Sequence, residues 1–392
     1  MSEWKECTIG DLCDTISDTY KRNDETVILI NTSDVLEGNI LNHQPVPNKN
    51  LKGQFKKTFK KNDILYSEIR PANKRFAFID FENTEKYIAS TKLMVLRPRK
   101  NVVLPQFLFS ILKSREIIEK LQHLAETRSG TFPQITFTSE LSPIKVMLPD
   151  LVTQEKISSI LSALDDKIEL NNRINENLEQ QAQAIFNDMF PNCMMNGVVI
   201  SSLIDVRDGT HDSPKSKKIG YYLITSKHLK PYTLNKKEAN LISVEDYIKI
   251  NERSKVKYGD ILISMIGTVG LISLVCDNNI DFAIKNVGLF RTSQNENLRF
   301  YILNYLKSLD VRNYIEQHLA GSTQKYISLT ELRNLPIFIP KDDDLKRFNL
   351  IVTPIYNQIM NICIENEHLS ALRDTLLPKL MNGEIDVENV KI

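Results

Sequence analysis

The strongest constraint on this 392-residue chain is that it states one pattern twice. Gly130, Ser139-Glu140-Leu141 and Pro149 return as Gly321, Thr330-Glu331-Leu332 and Pro340, each pair 191 residues apart. Ile9, Leu12 and Asp14 answer Ile200, Leu203 and Asp205 at the same offset. Between these points the register slips. Asp63-Ile64-Leu65 matches Asp260-Ile261-Leu262 at 197, and His123-Leu124-Ala125 matches His318-Leu319-Ala320 at 195. Insertions confined to the middle mark two divergent copies of a domain, since solenoid repeats run only about 20–50 residues. A duplicated module has two targets to hold, or one target with two halves.

Each copy reads in two parts. The first, roughly 1–150 and 196–340, holds short β-rich runs such as Val27–Ile30, Asp63–Tyr66 and Lys92–Leu96, then Asp260–Ile263 and Val287–Phe290. Gly267-Thr268-Val269-Gly270 reads as a hairpin turn. One helical stretch is expected late in each copy, at Pro105–Leu124 and Leu298–Leu319. The expected domain is α+β.

The second part, 151–195 and 341–392, is helical. Ile157, Leu161, Leu164, Ile168, Asn171, Asn175, Leu178, Ala182, Ile185 and Met189 alternate spacings of 4 and 3, a heptad seam. Its counterpart is Phe348, Val352, Ile355, Ile359, Ile362, Asn366, Leu369, Arg373, Leu376 and Leu380, with Leu372 covering for Arg373. A helix over 153–189 is roughly 55 Å long at about 1.5 Å per residue. Its single apolar stripe needs a partner, and the other copy's helix supplies one. With the globular domains at opposite ends, the two must pair antiparallel, as a coiled coil. Asn175 and Asn366 hold the same seam position. They read either as solvent-exposed turns or as a buried polar register pin. In the second reading Asn366→Leu stabilises the pair and loosens its register. Pro354 is expected to kink the second helix or delay its start.

The chain shows no motif for chemistry. There is no phosphate-cradling G-x-x-x-x-G-K-[ST], no aromatic Pro-Pro motif to grip a flipped base, and no zinc spacing among six histidines and five scattered cysteines. No catalytic or metal-binding residue is assigned. The cysteines read as reduced thiols of a cytoplasmic protein. Neither a secretion signal nor a membrane span is expected.

What remains are binding features. The net charge is only +1, yet local basic stripes rather than the total set a nucleic-acid footprint. Lys49, Lys52, Lys56, Lys57, Lys60 and Lys61 crowd an acid-free run. It is either a solvated face or a set of phosphate contacts. Arg70, Lys74 and Arg75 surround Pro71, while His211, Lys215, Lys217 and Lys218 follow Asp208-Gly209-Thr210. Thr323, Gln324 and Lys325 lie on a Gly-led turn, where Gln can pair with adenine and Lys with guanine. Thr131, Gln134 and Lys285 complete the candidate DNA contacts. The copies agree in their apolar framework and differ in these polar stretches, as readers of two different half-sites would.

Three strings, together with the duplication, carry a family resemblance: Asp208-Gly209-Thr210-His211-Asp212-Ser213-Pro214-Lys215, Ser264-Met265-Ile266-Gly267-Thr268-Val269-Gly270, and Leu376-Leu377-Pro378-Lys379-Leu380-Met381-Asn382-Gly383-Glu384-Ile385. The chain resembles the specificity subunits of type I restriction–modification systems over essentially its whole length. Copy one departs from the pattern, with Ser17-Asp18-Thr19-Tyr20 and Arg70-Pro71-Ala72-Asn73 in place of the first two strings. The resemblance implies two tandem target-recognition domains, each followed by a long helix. It implies a non-catalytic subunit that reads a gapped bipartite site on double-stranded DNA, with the helix pair as spacer. Two modification subunits binding S-adenosylmethionine, and two ATP- and Mg-dependent restriction subunits, are the implied partners. The chain itself is expected to hold no cofactor. Two other readings compete: a related system with modification and cleavage fused in one partner, and a coiled-coil scaffold with two protein-binding modules.

Overall fold

The computed structural model describes residues 4–49, 51, 53–127, 133–191, 193–194 and 197–387. The chain folds into two compact units, Met1–Lys167 with Leu369–Ile392, and Ile168–His368.

The duplication is visible in the sheets. In the first unit Cys13–Ile16, Leu93–Pro98, Ile64–Ser67 and Phe76–Phe78 form an antiparallel sheet in that order. In the second, Val206–Asp208, Val287–Phe290, Ile261–Ser264 and Ile272–Leu274 repeat it. A second sheet in each unit holds one parallel pair, Thr26–Ile30 beside Tyr87–Ser90 and Tyr221–Ile224 beside Phe282–Ile284. These strands read as unbroken apolar runs because both faces are covered. Ile64 and Tyr66 pack toward the helices of the first unit, whereas Leu65 packs toward its second sheet. Ile261 and Ile263 are likewise separated from Leu262. The same turn starts both central strands: the carboxylates of Asp63 and Asp260 accept the N–H of Lys60 and Lys257, each at 2.8 Å.

The single helical stretch expected late in each copy is two helices. Pro105–Leu112 and Arg115–Thr127 occupy the first unit, Arg299–Lys307 and Leu309–Gln317 the second. Serines make the breaks. Ser308 Oγ accepts the N–H of Val311, and Ser114 Oγ that of Ile117, so each serine caps a new helix.

The register slip from 191 to 197 also has a structural cause. The second unit carries a helix, Val244–Ser254, in a region where the first has the strand Phe55–Lys57. Ile250 of this helix packs with Ile242 and Ala283 of the second sheet.

The long helices are α1, Leu151–Met189, and α2, Asp342–Met381. Both are shared between the units. In the first unit Ile157 and Leu161 join Leu380 in one core. In the second, Asn171 faces Asn366, Asn175 faces Cys363, and Phe186 faces Phe348. Partners descend along α2 as they ascend along α1, so the helices run antiparallel. Leu178, Ile185 and Ile355 are partly buried, Ile359 is fully buried, and Leu164, Ile168 and Leu369 are half-buried. The seam is wider than the heptads indicate, because Phe186, Phe190 and Tyr356 are also buried. Each such side chain contributes about 1.5–3 kcal/mol.

Three seam expectations are corrected. Asn175 is buried, so the exposed-turn reading fails for it, and its side-chain amide donates to Cys363 Sγ. Leu372 does not cover for Arg373. It is 47% exposed, and Arg373 itself enters the seam by pairing with Asp165 at 2.8 Å. Of the two outcomes expected of Pro354, a kink or a delayed start, the delay does not occur, since α2 starts at Asp342. It lies on the exposed face, where a carbonyl freed by the missing N–H can meet water.

Candidate nucleic-acid interface

In the second unit, strand register gathers the loops. Asp208 faces Gly288 and Ser264 faces Val287, so the segments after Asp208 and Ser264 and before Val287 leave the sheet at one end. Gly209 fits there because it has no side chain: a Cβ would lie 2.2 Å from the Ile284 carbonyl oxygen. His211 is held from both sides, Nε2 3.0 Å from the Asp208 carboxylate and Nδ1 2.8 Å from Asn286 Oδ1. Asp208, nearly buried, also pairs with Arg253. Lys285 donates to Ser213 Oγ at 2.5 Å.

The hairpin turn expected at Gly267–Gly270 joins two paired strands, and both glycines have positive φ, +80° and +89°. A second loop lies against it. Gly267 N–H donates to Lys325 O at 3.3 Å, Ile327 N–H to Met265 O at 3.0 Å, and Ile266 bridges Tyr326. Thr323, Gln324 and Lys325 are exposed beside the turn. Lys215, Lys217 and Lys218 are exposed as well. Lys217 and Lys218 precede Tyr221, however, and that strand runs parallel to Phe282–Ile284 toward Lys285. They stand near its start, away from Lys285.

The first unit repeats the arrangement with other side chains. Ile69 bridges Gln134, Ile135 N–H donates to Glu68 O at 2.8 Å, and Arg70 N–H to Pro133 O at 3.1 Å. Arg70 is exposed in a left-handed conformation, φ 46°, beside half-buried Gln134. Lys74 is exposed and pairs with Glu37 at 2.7 Å.

Other candidates are built into the fold. Lys57 Nζ donates to the Thr91 and Leu93 carbonyls at 3.0 and 2.8 Å. Burial holds its pKa below the usual lysine value. Arg75 Nη1 donates to the Ser33 and Val35 carbonyls, bracing that loop. Lys57 is therefore turned into the fold, while Arg75 commits one guanidinium nitrogen to it. Lys56 is exposed, but Lys60 sits in the turn before Ile64, at the far end of the strand from Arg70. Thr131 lies outside the described residues. The sequence reading missed Asn286 and Arg253, which fix His211 and Asp208. Their only signal is spatial.

A family model described as "Type I restriction modification DNA specificity domain" matches residues 1–180 and again 200–367. The chain belongs to the type I DNA specificity family. Its similarity to one family member extends over nearly the whole of both chains. It is 31% identical to the type I restriction enzyme HindI specificity subunit of Haemophilus influenzae, over 98% of this chain and 100% of that one. It is 24% identical to the MjaIX specificity subunit of Methanocaldococcus jannaschii, over 74% and 71%. Among solved structures, the type I restriction–modification S subunit from M. genitalium shares the fold, with a TM-score of 0.51 at 15% identity over 97% and 96% of the chains. Two matches to one specificity domain agree with the two copies of sheet and loops. Among the described residues no helix is long and apolar enough to cross a membrane.

Proposed function

We propose that this specificity-family chain is the sequence-reading subunit of a cytoplasmic type I restriction–modification complex, with each compact unit reading one half of a gapped DNA site. One observation carries the reading. Both units set a hairpin turn against a second loop at the same end of the same sheet, but offer Arg70 and Gln134 in one and Gly267–Gly270 with Thr323, Gln324 and Lys325 in the other. Equal scaffolds with unequal polar tips suit an asymmetric site. Phosphate contacts from exposed cations set affinity, and a few polar side chains set sequence.

The chain supplies reading rather than chemistry. Two modification subunits carrying S-adenosylmethionine methylate adenine, and two ATP- and Mg-dependent restriction subunits cleave. The antiparallel pair of α1 and α2 spaces the half-sites. Co-expression with the modification subunit in a methylation-free host, followed by mapping of modified adenines, tests this. A two-part motif with a fixed gap supports it. A soluble, co-purified complex that modifies nothing overturns it.

A further inference from the structure

The identical turns at Asp63 and Asp260 fix the local correspondence of the two copies at 197 residues. On that register Lys257 falls on Lys60. Upstream, where the register slips, Lys249 and Arg253 ride on the helix Val244–Ser254, one turn apart on the same face.

That face borders a cavity of about 210 Å³, lined by Gly209, Thr210, Ser213, Lys249 and Arg253 together with Asp208, Asp212 and Asp246. Of the acids, only Asp208 is paired with a cation among the described residues, and Asp212 is exposed to solvent. Asp208 pairs with Arg253 and contacts His211, and Asp246 accepts the Ser243 hydroxyl at the helix N-cap. Lys249 is exposed and has no ion pair among the described residues, and Lys285 reaches Ser213 on the same rim. Lys257 continues the cationic series but occupies the turn at the other end of the strand Ile261–Ser264.

We propose that Lys249 is a DNA contact of the second unit, seating one backbone phosphate at the mouth of this cavity, beside the pair of Arg253 and Asp208. The proposal rests on the DNA-reading role above. A backbone phosphate fits better than a base edge, because an ammonium on a flexible stem is a point charge without the planar geometry that reads bases.

The test uses the full-length chain with its co-expressed modification subunits, and a duplex carrying the mapped motif. Binding is measured across a salt series. For Lys249→Gln we expect several-fold weaker binding to cognate and non-cognate duplexes alike, an unchanged methylation motif, and a salt slope smaller by about 1. Lys257→Gln should leave the slope unchanged. Neutral methylphosphonates, placed one at a time along the second half-site, should include a position where wild type drops to the level of Lys249→Gln and the variant loses nothing more. An unchanged slope for Lys249→Gln, or equal losses from both variants, overturns the proposal while the reading role stands. Wild-type complex without salt-dependent DNA affinity overturns both.

Discussion

Asn171 donates its side-chain amide to the side-chain oxygen of Asn366 at 2.8 Å, across the pair formed by α1 and α2. Asn171 is 1% exposed. The same amide donates to Glu365, and Asn366 in turn donates to Asn172 at 2.9 Å. A polar layer this connected has one satisfied register. Sliding either helix by a turn leaves buried amides unmatched, at about 1–3 kcal/mol each.

The layer reverses the simple expectation for Asn366→Leu. The single substitution strands part of Asn171 and should destabilise by about 1–3 kcal/mol. The double variant Asn171→Leu/Asn366→Leu should recover that loss and release the register. Methylation mapping of the double variant should then show motifs with more than one gap length. A single gap together with an unchanged melting temperature would count against the pin.

Lys307 is the second buried polar node. Its ammonium lies 2.5 Å from Glu179 of α1 and 2.9 Å from the Tyr232 hydroxyl, with the Tyr232 ring 4.6 Å away. Lys307→Met leaves the partly buried Glu179 carboxylate without its cation and should cost about 3–5 kcal/mol in urea melts. Lys307→Met/Glu179→Leu should regain most of it. If the single variant melts like wild type, the pair is not the anchor that it resembles.

Asp165 should carry an acid dependence in the first unit. Burial raises its pKa, but Lys113 at 2.6 Å and Arg373 at 2.8 Å outweigh that and bring it below the ordinary 3.8. A depressed folded pKa means stability that is fully present above 3.8 and is lost as pH falls through the lower folded value. Asp165→Asn should therefore lower stability by about 1.5–3 kcal/mol at neutral pH and flatten the acid limb below 3.8. Parallel acid limbs for wild type and variant would contradict this.

How much of this was legible in sequence depended on the range of the forces involved. The strands at Asp63–Tyr66 and Asp260–Ile263 could be read because their apolar runs are local and repeated. So could the seam, whose periodicity is intrinsic to each helix. The partner of each seam residue could not, because pairing depends on how the helices slide: Asn175 meets Cys363. Composition misled at Lys57, whose charge points into carbonyls rather than solvent. The helix Val244–Ser254 carries a local start signal. Ser243 stands three residues before Asp246, and its hydroxyl accepts the Asp246 N–H as an N-cap.

Gly209→Ala tests the recognition end directly. A Cβ 2.2 Å from the Ile284 carbonyl must push the loop off the sheet. The cost should be about 1–3 kcal/mol. Displacement of the neighbouring Asp208 and His211 should degrade only the half-site read by the second unit. Calorimetry with motif mapping checks both. Loss of preference in both halves would contradict the assignment of one half to each unit.

The measurement that bears most directly on the central claim is a domain exchange. Residues 196–340 would be replaced by the matching segment of a specificity chain with a different motif, and modified adenines mapped in a methylation-free host. Two independent readers on a fixed spacer predict that one half of the motif changes while the other half and the gap stay as they were. A motif that changes in both halves, or in neither, would contradict the account.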